Sequence, residues 1–298
     1  MNSRSQKGKL IIIITLLSIL LVSTFAFFKF KNDTKSNNSS ETSSKEESVS
    51  IDSDTENDYS KDSNRFEGIK LTSEDVGVPV LYYHSVLPDS EVTTPNEVTI
   101  SPEKLKQELE IVKNLGYTTI TLSELNDYLN NKIEIPEKSI VITFDDGYTD
   151  NYIHAFPILK ELGMKATVFM ISSQINSGYY MSAEQLKEMS DYGIDIESHT
   201  DTHAYLDTLS YDEQLKEMTE SKRKLEEVLG KDVTSIAYPF GNYNKDTVKA
   251  SEAAGYTLGF TTNKGLDKRT SNKLELDRIY VSSTYSLDTF KERLLNTK

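Results

Sequence analysis

Strand-like and helix-like segments alternate along the chain from residue 79 to its end, and this alternation limits the possible fold more than any other feature. Short runs rich in β-branched and aromatic residues predict strands at residues 79–83, 118–121, 139–144, 166–171, 194–198, 234–238, 256–261 and 278–281. Repeated strand–helix units of this kind indicate parallel strands. We therefore predict an α/β fold, a distorted (β/α) barrel of seven to eight strands, with an open doubly wound sheet as the alternative.

Sequence patterns also locate helices between the strands. Ser210 and Glu213 form a capping-box pattern, which predicts a helix that begins after Ser210 and ends at Gly230. Another helix is predicted at residues 151–162, and we expect His154 within it to be a packing or surface residue.

A run of 19 mostly apolar residues, 10–28, lies close to the N-terminus. As a helix this run would be about 28 Å long, which is enough to cross a bilayer. We expect residues 1–31 to be a membrane anchor. A cleavable signal peptide is the alternative, because residues 24–26 (Thr-Phe-Ala) resemble a cleavage site. Both interpretations place the rest of the chain outside the cell.

The next segment, residues 32–64, contains ten serines, nine acidic residues and three lysines, with few large apolar residues. Such a segment cannot bury enough apolar surface to become ordered. We therefore predict a disordered tether at residues 32–64 and a folded domain at residues 65–298.

Charge and cysteine content exclude several classes of function. The chain has 33 Lys and Arg against 47 Asp and Glu, a formal net charge of −14, and this charge repels phosphate backbones. Nucleic acid is therefore not expected as a partner. Cysteine is absent, which excludes disulfides, thiolate metal ligands and a cysteine nucleophile. Any metal ion must be held by His, Asp or Glu.

Two carboxylates follow directly after an apolar strand. The predicted strand 139–144 runs into Asp145, Asp146 and Gly147. Asp and Gly are ordinary turn residues, so this pattern alone favours a solvated turn. Charged carboxylates at the end of a buried strand nevertheless cost free energy unless a partner group or a bound ion offsets their charge.

Two histidines, His199 and His203, follow the predicted strand 194–198. If this segment forms a helical turn, the i, i+4 spacing brings the imidazoles to about 6 Å from each other. That distance is within reach of one metal ion, although such a pair is weak evidence by itself. In a barrel the pair would share one face with Asp145 and Asp146, because active sites form at the carboxyl ends of the strands.

Two further strand ends carry candidate residues. Tyr238 precedes a Pro-Phe-Gly turn, and His84 ends the strand that contains a Leu-Tyr-Tyr string. Either residue alone could belong to a packed core beside a turn. Four strand ends that converge on one face are harder to explain by packing.

The motifs at residues 143–147 (Thr-Phe-Asp-Asp-Gly) and 199–203 (His-Thr-Asp-Thr-His) resemble the first two motifs of the NodB-homology polysaccharide deacetylases. The resemblance covers the chain from about residue 77 to the C-terminus. It implies a distorted (β/α) barrel, one divalent metal ion, and hydrolysis of N-acetyl or sometimes O-acetyl groups on sugar polymers.

The resemblance also implies a role for each matching residue. Asp145 would be the general base, while Asp146, His199 and His203 would hold the metal ion. Two histidines and one carboxylate leave positions open for water and a substrate carbonyl, and they suit Zn²⁺ best, with Co²⁺ or Ni²⁺ as alternatives. Tyr238 would present its backbone N–H to the developing oxyanion.

The sequence departs from the family pattern in ways that leave two roles open. Ala237 stands where the family has an arginine, and the chain has no tryptophan and no histidine after His203. The Leu-Tyr-Tyr-His string that ends at His84 is similar to the first strand of the poly-N-acetylglucosamine deacetylases, a circularly permuted branch. This resemblance makes His84 the candidate acid, and Arg278 the candidate replacement for the missing arginine.

These expectations describe an extracellular, membrane-tethered and metal-dependent hydrolase that removes N-acetyl groups from an N-acetylglucosamine-containing envelope or biofilm polymer. Poly-N-acetylglucosamine exopolysaccharide is the first substrate expected, and peptidoglycan is the second. An O-acetyl esterase and a non-catalytic glycan-binding relic are the remaining alternatives.

Loop tyrosines could stack on sugar rings, but the chain has 17 tyrosines and we assign this role to none of them. The loop tyrosines in question are Tyr148, Tyr179, Tyr180, Tyr205 and Tyr243.

Overall fold

The computed structural model describes residues 65–298 as an α/β fold. The predicted anchor (1–31) and tether (32–64) lie outside the described residues. Within 65–298, no helix combines the length and the apolar character that crossing a membrane requires.

The described residues form twelve strands. In chain order they are β1 (Leu71–Thr72), β2 (Val80–Tyr83), β3 (Ser85–Val86), β4 (Thr99–Ile100), β5 (Thr118–Thr119), β6 (Ile135–Pro136), β7 (Ser139–Phe144), β8 (Thr167–Met170), β9 (Asp195–Ser198), β10 (Ser235–Ala237), β11 (Leu258–Phe260) and β12 (Ile279–Tyr280).

The same part of the chain forms seven α-helices. They are α1 (Pro102–Asn114), α2 (Leu122–Leu129), α3 (Phe156–Leu162), α4 (Ala183–Tyr192), α5 (Tyr211–Leu229), α6 (Lys245–Ala253) and α7 (Leu287–Asn296). A π-helix (Asn151–Ala155) and 3-10 helices at Ser172–Gln174, Leu206–Thr208 and Pro239–Gly241 complete the helical segments.

Eight strands form one sheet, in which neighbouring strands follow the order β11-β10-β9-β8-β7-β2-β12 and β5 also pairs with β7. Every paired strand in this sheet is parallel to its neighbour. These eight strands coincide with the eight predicted from the sequence, so the α/β prediction is confirmed. The four other strands, each two residues long, form two small two-stranded sheets and were not predicted from the sequence.

The large sheet is curled into a half-barrel, which is consistent with the predicted (β/α) barrel. Leu276 bridges to Phe260 of β11, whereas Ile279 of β12 pairs with Leu81 of β2. The short segment 276–280 therefore contacts β11 at one edge of the sheet while it forms β12, the strand at the other edge. This curvature brings the carboxyl ends of distant strands around a common centre.

Hydrophobic residues fill both faces of the curled sheet. All six residues of β7 are buried, and successive side chains of a strand point to opposite faces. Ile142 accordingly belongs to the larger core cluster, which includes helix residues such as Leu109 and Leu225, whereas Val141 belongs to a second cluster with Phe169 and others. Burial on both faces explains why the strand sequence is mostly apolar on both faces rather than alternating between apolar and polar residues.

Helix ends agree with the capping signals, with one exception. Ser210 and Glu213 form the predicted capping box, and α5 ends at Gly230 in the left-handed conformation. The predicted single helix at 151–162 is instead a π-helix followed by α3. Pro157 explains the change, because proline has no N–H for the hydrogen bond that a continuous α-helix would need there. His154 lies half-buried in the π-helix.

Candidate active site

A cavity of about 470 Å³ opens at the carboxyl ends of the parallel strands. It is lined by all seven site residues predicted from the sequence and by six further residues. The predicted residues are His84, Asp145, Asp146, His199, His203, Tyr238 and Arg278. Their convergence follows from the parallel sheet, since every strand directs its carboxyl end to the same side.

Asp145 lies immediately after β7, where its backbone N–H donates to the Tyr83 carbonyl of β2. Its carboxylate is buried and accepts two hydrogen bonds from Arg278, with Nη1–Oδ1 at 2.7 Å and Nη2–Oδ2 at 2.9 Å. Burial by itself would raise the pKa of Asp145, but the charge of Arg278 and the nearby His199 bring this pKa below its ordinary value. Asp145 is therefore an ionised carboxylate with a fixed orientation.

Arg278, directly before β12, is almost completely buried, with 1% of its surface exposed. Its Nε donates to the Thr261 carbonyl oxygen at 2.8 Å, and its guanidinium carbon lies 4.4 Å from the centre of the Tyr82 ring. A buried arginine is costly unless its charge and donors are matched, and here Asp145 supplies both. The structure thus pairs Asp145 with Arg278, the residue that the sequence offers as a candidate replacement for the arginine missing at Ala237.

Asp146 adopts a left-handed backbone conformation, with φ at 72°, and Gly147 follows it at 79°. A Cβ atom at Gly147 would lie 2.1 Å from the sulfur of Met170, so the tight turn requires glycine there. This turn directs the Asp146 carboxylate to the histidines. Oδ1 lies 3.5 Å from Nε2 of His199 and 3.3 Å from Nε2 of His203.

The segment 199–203 is an irregular loop and not the helical turn for which the i, i+4 spacing was considered. Thr200 has φ at 64° and His203 has φ at 62°, values that an α-helix does not contain. The loop nevertheless brings the two rings together, with centroids 4.9 Å apart. The Thr200 hydroxyl accepts a hydrogen bond from the His203 N–H at 3.1 Å and stabilises this conformation.

The ligand atoms of Asp146, His199 and His203 all lie within 4.8 Å of one another. This is the one such group of His, Asp and Glu residues among residues 65–298. Two imidazole nitrogens and one carboxylate oxygen are a donor set that divalent Zn, Co or Ni accepts. The arrangement fits a single metal ion.

His199 is oriented for that purpose. Its Nδ1 lies 2.8 Å from the carbonyl oxygen of Ala237, which leaves Nε2 directed to Asp146. Burial lowers the pKa of the His199 imidazole to about 4. A neutral ring whose second nitrogen is held by a backbone carbonyl is the usual state of a metal-ligating histidine.

His84 lies in the wall of the same cavity, between β2 and β3. Its backbone is held in place, because the Asn151 amide donates to the His84 carbonyl oxygen at 2.8 Å. The carboxylate of Asp150 also accepts from the hydroxyl of Ser85 and from the N–H of Val86. The Nδ1 atom of His84 is buried without a hydrogen-bond partner among the described residues.

Tyr238 lines the cavity, but its predicted role as a backbone donor is wrong. The Tyr238 N–H donates to the Phe260 carbonyl at 3.0 Å as part of the sheet. The next residue is Pro239, which has no N–H. Phe240 is then the first residue whose N–H lies in the initial turn of the Pro239–Gly241 helix, where an amide has no acceptor within the helix.

Sequence reasoning gave no role to six cavity residues, including Phe240 and Tyr148. Phe240 has φ at 59°, and its ring centre lies 4.5 Å from that of His203. Burial and the nearby charge of Asp146 raise the pKa of the Tyr148 phenol above its ordinary value. Both residues closely follow the carboxyl end of a predicted strand, and this position was the sequence signal that could have identified them as cavity residues. The remaining four are Tyr82, Val98, Thr262 and Tyr280.

Comparison with known proteins gives consistent results. The family described as polysaccharide deacetylase matches residues 132–259. YxkH of Bacillus subtilis (strain 168), which is named for the same family, is 38% identical over 219 residues, or 74% of this chain and 76% of YxkH. Poly-β-1,6-N-acetyl-D-glucosamine N-deacetylase of Staphylococcus epidermidis is 31% identical over 200 residues, or 62% of this chain and 68% of that enzyme.

Solved structures with the same fold include two deacetylase-related chains. The Streptococcus pyogenes deacetylase PplD, in complex with acetate, superposes with a TM-score of 0.69 at 33% identity and covers 75% of this chain and 99% of its own. IcaB from Ammonifex degensii superposes with a TM-score of 0.64 at 28% identity and covers 74% of this chain and 95% of its own.

Proposed function

The chain belongs to the polysaccharide deacetylase family, and from this premise we propose that it is an extracellular, metal-dependent N-deacetylase. Its substrate would be an N-acetylglucosamine-containing polymer of the cell envelope or biofilm. The observation that carries the proposal is the single cavity in which an ion-paired carboxylate, Asp145, adjoins the Asp146, His199 and His203 group.

Asp146, His199 and His203 would hold the metal ion, with Zn²⁺ the first candidate and Co²⁺ or Ni²⁺ the alternatives. When bound, the ion would acidify a water molecule and polarise the acetyl carbonyl. The hydrogen bond between His199 and the Ala237 carbonyl supports this assignment, because it fixes the ring whose other nitrogen would be the ligand.

Asp145 would take the proton from the attacking water. Its two hydrogen bonds to Arg278 support this role, since they keep the carboxylate ionised and fix its orientation. Arg278 would act as a positioning residue, because both Nη atoms of its guanidinium are bonded to Asp145. The Thr261 carbonyl, which accepts from Arg278 Nε, holds the guanidinium in turn.

His84 would donate the proton that the departing sugar amine needs. It lies in the cavity wall, and the hydrogen bond from Asn151 fixes its backbone. The N–H of Phe240 would stabilise the developing oxyanion in place of Tyr238, whose N–H is occupied. In this scheme the base, the acid and the oxyanion donor come from three different strand ends, which is common in barrels of this class.

Poly-N-acetylglucosamine exopolysaccharide is the leading substrate, and the Staphylococcus epidermidis relative, named for deacetylating this polymer, supports that choice. The apolar run at residues 10–28 supports a single-pass membrane anchor with the domain outside the cell, or a secreted protein if the run is cleaved. Peptidoglycan is the second candidate substrate.

The test is to incubate the purified full chain, with Zn²⁺, Co²⁺ or Ni²⁺ supplied, on poly-N-acetylglucosamine, on peptidoglycan and on O-acetylated xylan. Free amines and released acetate are assayed. Amine release from poly-N-acetylglucosamine is the expected result. Acetate released only from xylan would identify an O-acetyl esterase, and no turnover on any polymer would indicate a non-catalytic glycan-binding protein.

A further inference from the structure

Two aromatic rings, those of Tyr205 and Phe240, stack on each other outside the protein core. Their centroids are 4.0 Å apart, with 7° between the ring planes. Both side chains are nonetheless about half exposed, Tyr205 at 50% and Phe240 at 48%. We refer to this pair as the aromatic platform. A stacked pair in a core would be covered on its outer faces, whereas the platform leaves apolar surface open to solvent.

The backbone that carries the platform is constrained at both residues. Phe240 has φ at 59°, a conformation that costs free energy for a residue with a side chain. Gly241 follows at 71°, and a Cβ atom there would collide with the side chain of Thr262. The Tyr205 carbonyl accepts hydrogen bonds from the N–H and the hydroxyl of Thr208, at 3.1 and 2.7 Å. The stacking of the two rings therefore starts from a well-held backbone.

The platform is continuous with the cavity. Phe240 lines the cavity, and its ring meets the ring of His203 at 4.5 Å with an interplanar angle of 60°. Tyr205 does not belong to the cavity lining and lies on the far side of Phe240, since it stacks directly on that ring. Because the two rings are nearly parallel, each covers one face of the other, and the flat face left to solvent is the outer face of Tyr205, one ring away from Phe240.

We infer that the aromatic platform binds a pyranose ring of the polymer, next to the sugar whose acetyl group occupies the cavity; this inference rests on the proposed function. A pyranose presents C–H groups on its faces and hydroxyls around its edge. An aromatic face packs against the C–H groups while the hydroxyls stay in water. An open, flat and uncharged surface at the cavity rim suits such a ring better than it suits an ionic group.

The experiment compares substrates that can and cannot reach the platform. kcat/KM is measured on the metal-loaded full chain for an N-acetylglucosamine tetrasaccharide and for 4-nitrophenyl acetate. We expect Tyr205→Ala to lower the tetrasaccharide-to-ester ratio by about five- to tenfold, the loss that one aromatic contact accounts for. Tyr205→Phe should keep the ratio, because it retains the ring.

Tyr192→Ala is the matched control. Tyr192 is also a partly exposed tyrosine, at 43%, that contacts a phenylalanine, Phe156, but it ends α4 and is not part of the cavity. Its replacement should leave the ratio unchanged. An equal loss on both substrates in Tyr205→Ala would mean that Tyr205 only supports Phe240, and an unchanged ratio would also overturn the inference.

Binding separates this inference from the proposed function. The dissociation constant of the tetrasaccharide is measured by calorimetry for the wild-type chain and for Asp145→Asn, each with and without Tyr205→Ala. If Tyr205→Ala raises the dissociation constant about five- to tenfold, the platform binds sugar even if the chain proves to have no deacetylase activity. Absence of tetrasaccharide binding to the wild-type chain, or equal affinity without Tyr205, would refute the platform.

Discussion

Arg278 and Asp145 form a pair of parallel hydrogen bonds, at 2.7 and 2.9 Å, although 133 residues separate them in the sequence. Both side chains are nearly inaccessible to solvent. The guanidinium therefore fixes the plane of the carboxylate as well as offsetting its charge, and only a planar two-pronged donor can do both.

Replacement of Arg278 by lysine should separate these two contributions. Arg278→Lys keeps a positive charge but loses the fork, so we expect kcat to fall by about ten- to a hundredfold with metal content retained. Arg278→Ala leaves Asp145 buried and unpaired, and should lower the free energy of unfolding by about 3–5 kcal/mol. Steady-state kinetics and urea unfolding measure the two effects.

The control is Arg223→Lys, since Arg223 is an exposed arginine on α5. An equal loss of kcat in this variant would contradict a specific role for Arg278.

The two adjacent aspartates should respond differently to replacement. Asp146→Ala removes a candidate ligand and should lose both metal and activity. Asp145→Asn should keep the metal while activity falls by about 10²- to 10⁴-fold, the usual contribution of a general base. Metal content by atomic emission, with activity on the same samples, is the measurement. Equal metal loss in the two variants would reject the assignment.

His84→Ala should keep the metal bound, because Asp146, His199 and His203 remain in place. We expect amide hydrolysis to slow by about 10²- to 10⁴-fold. Hydrolysis of an ester with a good leaving group should suffer less, since that group needs no protonation. His154→Ala controls for loss of a histidine elsewhere. Undiminished amide turnover would exclude His84 as the acid, and loss of metal would make it a ligand instead.

Asp267 should make stability depend on pH. Its carboxyl is buried, Oδ2 has no hydrogen-bond partner among the described residues, and burial raises its pKa from 3.8 to about 8. Between these two pKa values the folded chain keeps the Asp267 carboxyl protonated, whereas the unfolded chain releases the proton. The free energy of unfolding therefore falls as pH rises from about 4 to about 8. Between pH 5 and 7 the free energy of unfolding should fall by up to about 1.4 kcal/mol per pH unit. In urea unfolding, the free energy of unfolding of Asp267→Asn should depend less steeply on pH. The same slope in the variant and the wild-type chain would contradict this role of Asp267.

Removal of residues 1–64 should yield a soluble, folded and active domain. The described fold begins at residue 65, and the tether offers almost no apolar surface for packing. Thermal unfolding and turnover of a short N-acetylated oligosaccharide test this. An insoluble product, or one without a cooperative transition, would place the domain boundary further toward the N-terminus.

Much of the fold could be predicted because a buried parallel strand has a strong sequence signature. β7 is a mostly apolar run that is followed directly by two carboxylates, so the sequence reveals both the strand and the candidate site at its end. The capping box at Ser210 is equally local. Residues that follow such strands could be placed at the site, because parallel topology alone brings strand ends together.

Features that depend on the closing of the sheet could not be predicted with the same certainty. The pairing of Arg278 with Asp145 requires β12 to lie beside β2, which no local pattern encodes. The occupied N–H of Tyr238 depends likewise on its pairing with β11. The conformation of the loop at 199–203 could not be predicted for another reason, since positive φ angles at Thr200 and His203 are rare outside glycine and have no reliable sequence signal.

The segment that carries Arg278 follows nearly all of the strands that build the cavity, and this order has a consequence for biosynthesis. A chain still emerging from the ribosome contains Asp146, His199 and His203 before it contains residue 278. The cation that fixes Asp145 is therefore added after the candidate metal ligands. During synthesis the carboxylate of Asp145 would lack its buried partner until this late segment has joined the sheet.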